Sequence, residues 1–246
     1  MKGSRWTTGA TLAGMLLATQ AFAGEKWGYT GKEGPEHWAE LSPAYALCGS
    51  GRNQSPVNLD QMIEAELPPI TFEYGGQVTE VVNNGHTIKA NYAPGSAIKA
   101  NGKTYELKQF HFHSPSENTI AGKSFPMEAH FVHAAKDGSL AVVAVMMETG
   151  EASPAIEKLW SRMPQTPGRT AALKETVTAE SLLPDDRDHY RFNGSLTTPP
   201  CTEGVLWLVM KKPITISEAQ LKAFQKVMKH PNNRPVQPLN ARAVLK

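Results

Sequence analysis

Cysteine is scarce in this chain of 246 residues: there are two, Cys48 and Cys201. Neither has a second Cys or a His at zinc-ligand spacing, which argues against a cysteine-built metal site. In an exported protein two cysteines most simply form one disulfide, worth ~4–5 kcal/mol in the chain-entropy model for so long a loop; two free buried thiols are the alternative. A long apolar run near the N-terminus is missing too. Leu12 to Ala18 is apolar but far below the ~20 residues needed to cross a bilayer, so no membrane span is expected. An excess of charge of one sign is also absent. The formal net charge is +2 and the basic residues are dispersed, which leaves no electrostatic case for nucleic acid. There is no internal repeat, low-complexity tract or interdomain linker.

What is present suits an exported globular protein. Lys2 and Arg5, the short apolar run and the A-x-A sequence Ala21-Phe-Ala23 form a secretory signal peptide over 1–23, cleaved after Ala23. Its removal takes away two positive charges and leaves the mature chain formally neutral. The signal points to a periplasmic or secreted destination. Residues 24–246 then form one domain with ample apolar content, 40% of residues.

The chemistry centres on Gln109 to His133. Tyr105, Leu107, Gln109, His111 and His113 are alternate residues, and on a strand alternate residues share a face. Glu128, His130 and Val132 repeat the pattern on a second strand. If the strands pair, His111, His113 and His130 converge. Three histidines leave a zinc ion one open position, the catalytic arrangement. Gln109 and Glu128 share the histidine faces and can accept the N–H of a ligand's other ring nitrogen. His133 falls on the opposite face from His130 and is excluded. His37, His189 and His230 have no partner at ligand spacing.

The rest reads as a mostly β, single-domain α+β fold: a large central, twisted, mainly antiparallel sheet with short peripheral helices. Residues 24–60 are loop-rich, with His37 and Trp38 packing them onto the domain; Ser55-Pro56 could hold a cis bond, although trans is the commoner isomer. From Ile70 to Met147 strands dominate. Asn101-Gly102 and Asp137-Gly138 mark hairpins between Ala97–Ala100 and Lys103–His113, and between Met127–Ala135 and Leu140–Met147. Ile156, Leu159 and Trp160 predict a short helix ended by Pro164 and Pro167, with irregular chain to 183. Gly204–Met210 predicts a strand. Ser217 and Gln220 form a capping box for a helix through Lys229, with Leu221, Phe224 and Met228 facing the core. The proline-rich tail, 231–238, is expected on the surface.

Taken together, several blocks resemble the α-class carbonic anhydrases, especially exported bacterial members. They are Gln109-Phe-His-Phe-His113, Glu128-x-His130-x-Val-His133, Asn83-Asn-Gly-His86 and Ser195-Leu-Thr-Thr-Pro-Pro-Cys201. Gly28-Tyr29, Gly34-Pro-Glu-His-Trp38, Asn53-Gln-Ser-Pro56 and Asn232-Asn-Arg-Pro-Val-Gln237 add to them. The resemblance runs in family order over nearly all the chain after the first two dozen residues.

It implies a zinc enzyme for the reversible hydration of carbon dioxide to bicarbonate and a proton, through a zinc-bound hydroxide. Water on zinc has a pKa near 7, an effect for which carbonic anhydrase is itself the standard worked case. Thr197 and Glu117 match the pair that orients the hydroxide: an ionised carboxylate accepts the threonine proton, so the hydroxyl must accept in turn. Val132, Val142, Leu196, Val205 and Trp207 match the apolar wall for the substrate. His86 matches the proton shuttle, and Tyr29 and Asn84 match residues that order water. A Cys48–Cys201 disulfide resembles what exported members carry. Sulfonamide or anion inhibitors at the zinc, and a homodimer as in bacterial relatives, are further implications. Two features depart from many members: Ser114-Pro115 replaces the Trp-Gly of animal enzymes, and Lys89 stands where a neutral polar residue lining the water path is common, a cation able to lower the shuttle's pKa or to alter the water chain.

Two other classes fit parts of the pattern. A noncatalytic binding module on the same fold would dispense with zinc. A zinc hydrolase would attack an ester or another carbonyl compound, and would not need a tight apolar wall.

Overall fold

Two consecutive residues with positive φ, Asn101 (49°) and Gly102 (73°), turn the chain back at the start of the histidine strand. That geometry is the primed hairpin turn that Asn-Gly favours. A computed structural model of the chain describes residues 26–246; the signal peptide predicted over 1–23 lies outside the described residues.

Thirteen strands follow in chain order: β1 (Asn58–Leu59), β2 (Thr71–Tyr74), β3 (Val78–Asn83), β4 (Ile88–Tyr92), β5 (Ser96–Ala100), β6 (Lys103–His113), β7 (Thr119–Ile120), β8 (Met127–Ala134), β9 (Leu140–Thr149), β10 (Arg169–Ala172), β11 (His189–Ser195), β12 (Glu203–Met210) and β13 (Ile214–Ile216). Among the described residues four short α-helices flank them: α1 (Trp38–Leu41), α2 (Leu47–Ser50), α3 (Pro154–Trp160) and α4 (Glu218–Met228). Eleven strands make one sheet with the main path β10-β3-β4-β6-β8-β9-β12-β11. β6 and β8 sit near its middle. Every pairing in the sheet is antiparallel except β9 with β12 and β9 with β13. Those two follow long connections through α3, as parallel pairing requires. β1, β7, β10, β11 and β13 were not expected from the sequence; β7 lies in the 114–126 segment read as a loop, and β10 replaces part of the chain predicted as irregular.

The pleat separates two cores. Phe110, Phe112, Phe131, Val143 and Val145 fill the larger one. Helices α3 and α4 cover it, with Trp160 and Phe224 stacked on one another at 5.7 Å and both edge-on to Phe112. Burying such side chains stabilises by about 1.5–3 kcal/mol each. α4 carries the predicted capping box, and Lys229 ends it in the left-handed conformation. The opposite face carries the histidines and a second core around Val142, Val205 and Trp207.

The predicted alternation from Tyr105 to His113 breaks once. Leu107 pairs with His133 but Gln109 pairs with Val132, so β6 bulges at Lys108. An extra residue in one strand inverts the facing of what precedes it. Tyr105 and Leu107 therefore join the phenylalanine core, while Gln109, His111 and His113 keep the other face.

Other expectations are corrected as well. The 231–238 tail is not all surface: Asn232 and Arg234 are fully buried. Of His37 and Trp38, only Trp38 packs inside, donating its indole N–H to the Gly28 and Glu33 carbonyls; His37 stays partly exposed beside Glu40. Ser55-Pro56 is cis, as are Ser114-Pro115 and Pro199-Pro200. Cys48 and Cys201, 153 residues apart, form a disulfide with Cα atoms 5.1 Å from each other.

Candidate metal centre

Antiparallel register places His111 of β6 directly opposite His130 of β8. His113 lies two residues along β6, on the same face. The ring centroids are 5.0 Å apart for His111 and His113, 5.4 Å for His111 and His130, and 4.6 Å for His113 and His130. One nitrogen from each ring lies within 4.8 Å of the others.

The second nitrogen of each ring is engaged, which fixes the free one. His111 Nδ1 is 2.9 Å from Gln109 Oε1, and His113 Nδ1 is 2.7 Å from the Asn232 carbonyl. His130 Nε2 comes within 2.9 Å of Glu128 Oε1, at ion-pair distance but off the direction of a well-formed hydrogen bond. Glu128 is itself held by the backbone N–H groups of Glu117 and Asn118 and by the Asn118 amide, at 2.7–2.9 Å. The convergent atoms are therefore Nε2 of His111, Nε2 of His113 and Nδ1 of His130. Burial, followed by the neighbouring histidines and Lys89, holds His111 well below the usual histidine range; burial also lowers His113. Neutral imidazoles are what a metal needs. His113 Nε2 is buried with no hydrogen-bond partner, the state expected of a ligand atom. Three nitrogen donors of this kind fit zinc.

Glu117 lies at the edge of the cluster, its Oε2 3.4 Å from His113 Nε2 and 3.8 Å from His130 Nδ1. Its Oε1 accepts from the Arg234 backbone N–H at 2.8 Å. Burial pushes the carboxyl up to about 7, against the opposing pull of His130, the Arg234 N–H and the Thr197 hydroxyl. Thr197 and Glu117 thus lie within hydrogen-bond reach of one another. Arg234 is a residue that the sequence reading missed. Its guanidinium donates to Gln54 Oε1 and to the Ser55 and Cys48 carbonyls, each at 2.8 Å, and lies over the Trp38 ring. It bolts the tail to the disulfide segment, and so sets where its own N–H meets Glu117.

The five predicted wall residues also come together. Val142, Val205 and Trp207 are buried in the second core, with Val132 and Leu196 packed against it. Trp207 meets His130 edge-on at 4.9 Å, stacks on Phe192, and donates its N–H to the Ser195 carbonyl. An apolar surface therefore adjoins the histidines on one side.

On the other side a cavity of about 140 Å³ runs from His111 and His113 past Gln109 and Thr198 to Tyr29, Asn84, His86 and Lys89. Tyr29 is held neutral, chiefly by burial and then by Glu117. The Asn84 side chain accepts from the backbone N–H groups of His86 and Thr87 at 2.9 and 2.8 Å, shaping the turn that presents His86. Trp27, unremarked in the sequence, stacks on His86 at 3.8 Å between centroids. Burial lowers the His86 pKa, then the charge of His230 does so, with Glu33 opposing. Lys89 lines the cavity and bears on His111; it is not among the charges that shift His86. His133 points away from the cluster, to Tyr74 Oη at 2.8 Å, as its spacing predicted. A larger concavity, about 600 Å³, lies among Lys103, Lys108, Lys136 and Asp137 near the hairpin turns; it contains none of the clustered histidines.

A family model of eukaryotic-type carbonic anhydrases matches residues 33–246. A carbonic anhydrase of Neisseria gonorrhoeae is 48% identical over 238 residues, covering 94% of this chain and 94% of the relative. The α-carbonic anhydrase of Thermovibrio ammonificans, solved in complex with the inhibitor sulfanilamide, superposes with a TM-score of 0.90 at 50% identity, covering 91% of this chain and all of that one. Dioscorin complexed with ascorbate is a more distant structural relative, with a TM-score of 0.84 at 32% identity over 90% of this chain and 97% of that one. Among the described residues no helix is long and apolar enough to cross a membrane.

Proposed function

The chain belongs to the eukaryotic-type carbonic anhydrase family and is a carbonate dehydratase, and we propose that it works with a zinc ion held by His111, His113 and His130. The observation that carries this reading is the convergence of three free imidazole nitrogens within 4.8 Å, each on a ring whose other nitrogen is engaged. Zinc there supplies the Lewis acidity that brings the pKa of water near 7, for which carbonic anhydrase is the standard worked case.

The chain's own groups do the rest. Gln109, the Asn232 carbonyl and Glu128 fix the tautomers of the three histidines. A zinc ion in the cluster would favour the ionised form of Glu117 against the burial that pushes its carboxyl up to about 7. Ionised Glu117 accepts the Thr197 proton, so the Thr197 oxygen can only accept from the nucleophile and aims its lone pair toward the substrate. Carbon dioxide, small and apolar, rests against Val132, Val142, Leu196, Val205 and Trp207. Tyr29 and Asn84 order water in the cavity, and His86 takes the departing proton to buffer. Sulfonamides and small anions are expected to bind at the same position. Export through the N-terminal signal and assembly as a homodimer belong to the same reading; light scattering on the purified mature chain tests the second.

The experiment is stopped-flow carbon dioxide hydration on the purified protein beside His111→Ala, with zinc quantified in both. Fast hydration that tracks bound zinc and is lost in the variant is the expected result. No hydration with a full zinc complement would move the assignment to hydrolysis of an ester or another carbonyl compound.

A further inference from the structure

A second histidine, His230, lines a neighbouring concavity with Lys229 and Pro231 and reaches the cavity's aromatic lining through Tyr29. Tyr29 meets Trp27 edge-on at 5.6 Å and lies 6.3 Å from the His230 ring, and Trp27 is the ring stacked on His86. The two histidines thus flank one aromatic cluster. A side-chain tie links their segments: Asn232, two residues after His230, donates its side-chain amide to the His86 carbonyl at 3.0 Å. His230 Nδ1 is 2.9 Å from the Pro231 carbonyl, which can only accept. Nδ1 therefore carries the proton, and Nε2 is left as the basic nitrogen. The His230 ring is partly exposed.

We propose that His230 is an outer proton acceptor, taking over at its Nε2 the proton that His86 receives from the cavity and releasing it to buffer. The proposal rests on the reading of His86 as the shuttle. The step moves one proton: an N–H bond at His86 breaks, one at His230 Nε2 forms, and His86 returns neutral and ready for the next turnover. A buffer base then takes the proton from His230. Two neighbouring imidazoles cannot easily be charged together. A charge on one ring therefore expels the proton from the other, which is consistent with the depressing effect of His230 on His86. Tyr29, Glu33, Lys89, His111 and His113 are the other titratable groups around His86, and Lys229 adjoins His230.

The test compares carbon dioxide hydration in dilute and in imidazole buffer for the zinc-loaded wild type, His86→Ala, His230→Gln and the double variant. In dilute buffer His230→Gln is expected to lower kcat about two- to fivefold, well short of the ~100-fold typical of a group acting at the reacting atoms. kcat/KM should hold, imidazole should restore kcat, and an NMR titration should show the His86 pKa raised. A purely structural role would move kcat/KM or resist rescue, and either outcome overturns the proposal. Unchanged kcat for His230→Gln, with His86→Ala still slow, overturns the role of His230 alone. Unchanged kcat for His86→Ala overturns the shuttle reading beneath it.

Discussion

The Asn232 carbonyl accepts a hydrogen bond from His113 Nδ1 at 2.7 Å, so a tail residue 119 positions away decides which nitrogen of a central-strand histidine is free. The Asn232 side chain holds that tail in place. Its Oδ1 accepts from the Ser114 N–H, and its Nδ2 donates to the Phe112 and His86 carbonyls. Asn232→Ala leaves buried backbone groups unpaired and should destabilise the protein by about 1–3 kcal/mol or more. It should also loosen zinc, because the backbone carbonyl that meets His113 Nδ1 remains but loses the side-chain anchors that hold it in place. Urea unfolding and competition with a chelator read the two effects separately.

Gln109→Ala isolates tautomer control more cleanly. Gln109 is not among the buried polar residues, and its Oε1 meets His111 Nδ1. Removing such a partner typically costs 10–100-fold in metal affinity. Chelator competition should show that loss, with near wild-type hydration per bound zinc. Unchanged affinity would mean that Gln109 is merely a neighbour of the site.

The histidine strands were legible because period two is a local rule and the hairpin turns announce themselves. Asn101-Gly102 declared its turn type in its residues. What the sequence concealed depends on contacts between distant segments. The bulge at Lys108 is set by pairing with β8, so Tyr105 and Leu107 read as companions of the histidines when they belong to the other core. Arg234 is buried because Gln54, Ser55 and Cys48 turn acceptors toward it; nothing near Arg234 in sequence says so. A tail rich in proline reads as surface for the same reason. β11 reads HisTyrArgPheAsnGlySer, a polar run whose strand character comes from pairing with β12. For the candidate site, the clustering of His111, His113 and His130 and their strand-borne neighbours was readable, whereas Asn232, Arg234 and Trp27 reach it through the tertiary fold.

The apolar wall gives a prediction about substrate rather than metal. Val142 is buried beside Val205 and Trp207. Val142→Tyr adds bulk to a packed surface, at a cost of about 1–3 kcal/mol in stability. With zinc content kept, kcat/KM for carbon dioxide should fall by an order of magnitude or more, roughly the loss of 1.4 kcal/mol in transition-state stabilisation. Hydration unaffected by the added ring would remove Val142 from the substrate surface.

The Cys48–Cys201 bond closes a loop of 153 residues, and removing a native disulfide of this type costs roughly 2–5 kcal/mol. The double variant Cys48→Ser with Cys201→Ser should lose stability by that order in denaturant. Both cysteine carbonyls are also acceptors, for Arg234 and Gln54. Loosening that segment should let the Arg234 N–H drift from Glu117, lowering hydration per bound zinc even where the chain stays folded. Activity identical to wild type in the folded variant would show that Arg234 is anchored well enough without the bond.

His133 supplies a pH dependence that is separate from the metal centre. Burial lowers its pKa from the usual 6.5 to about 3, and its Nε2 meets Tyr74 Oη at 2.8 Å. Unfolded, the ring regains its ordinary value. Between pH 6.5 and about 3 the unfolded chain binds a proton that the folded chain excludes, so stability rises with pH across that window. The contribution is therefore complete above 6.5 and is lost as pH falls toward 3, by an amount on the order of a few kcal/mol at about 1.4 kcal/mol per pH unit. His133→Gln keeps a polar group near Tyr74 and cannot titrate. Thermal melts of both proteins from pH 7 to 4 should show the wild type losing Tm faster than the variant, with the gap widening below 6.5. The histidines of the metal cluster are common to both proteins, so their titration affects the two curves alike and the difference isolates His133. Parallel curves would mean that the protonated ring is tolerated where it sits.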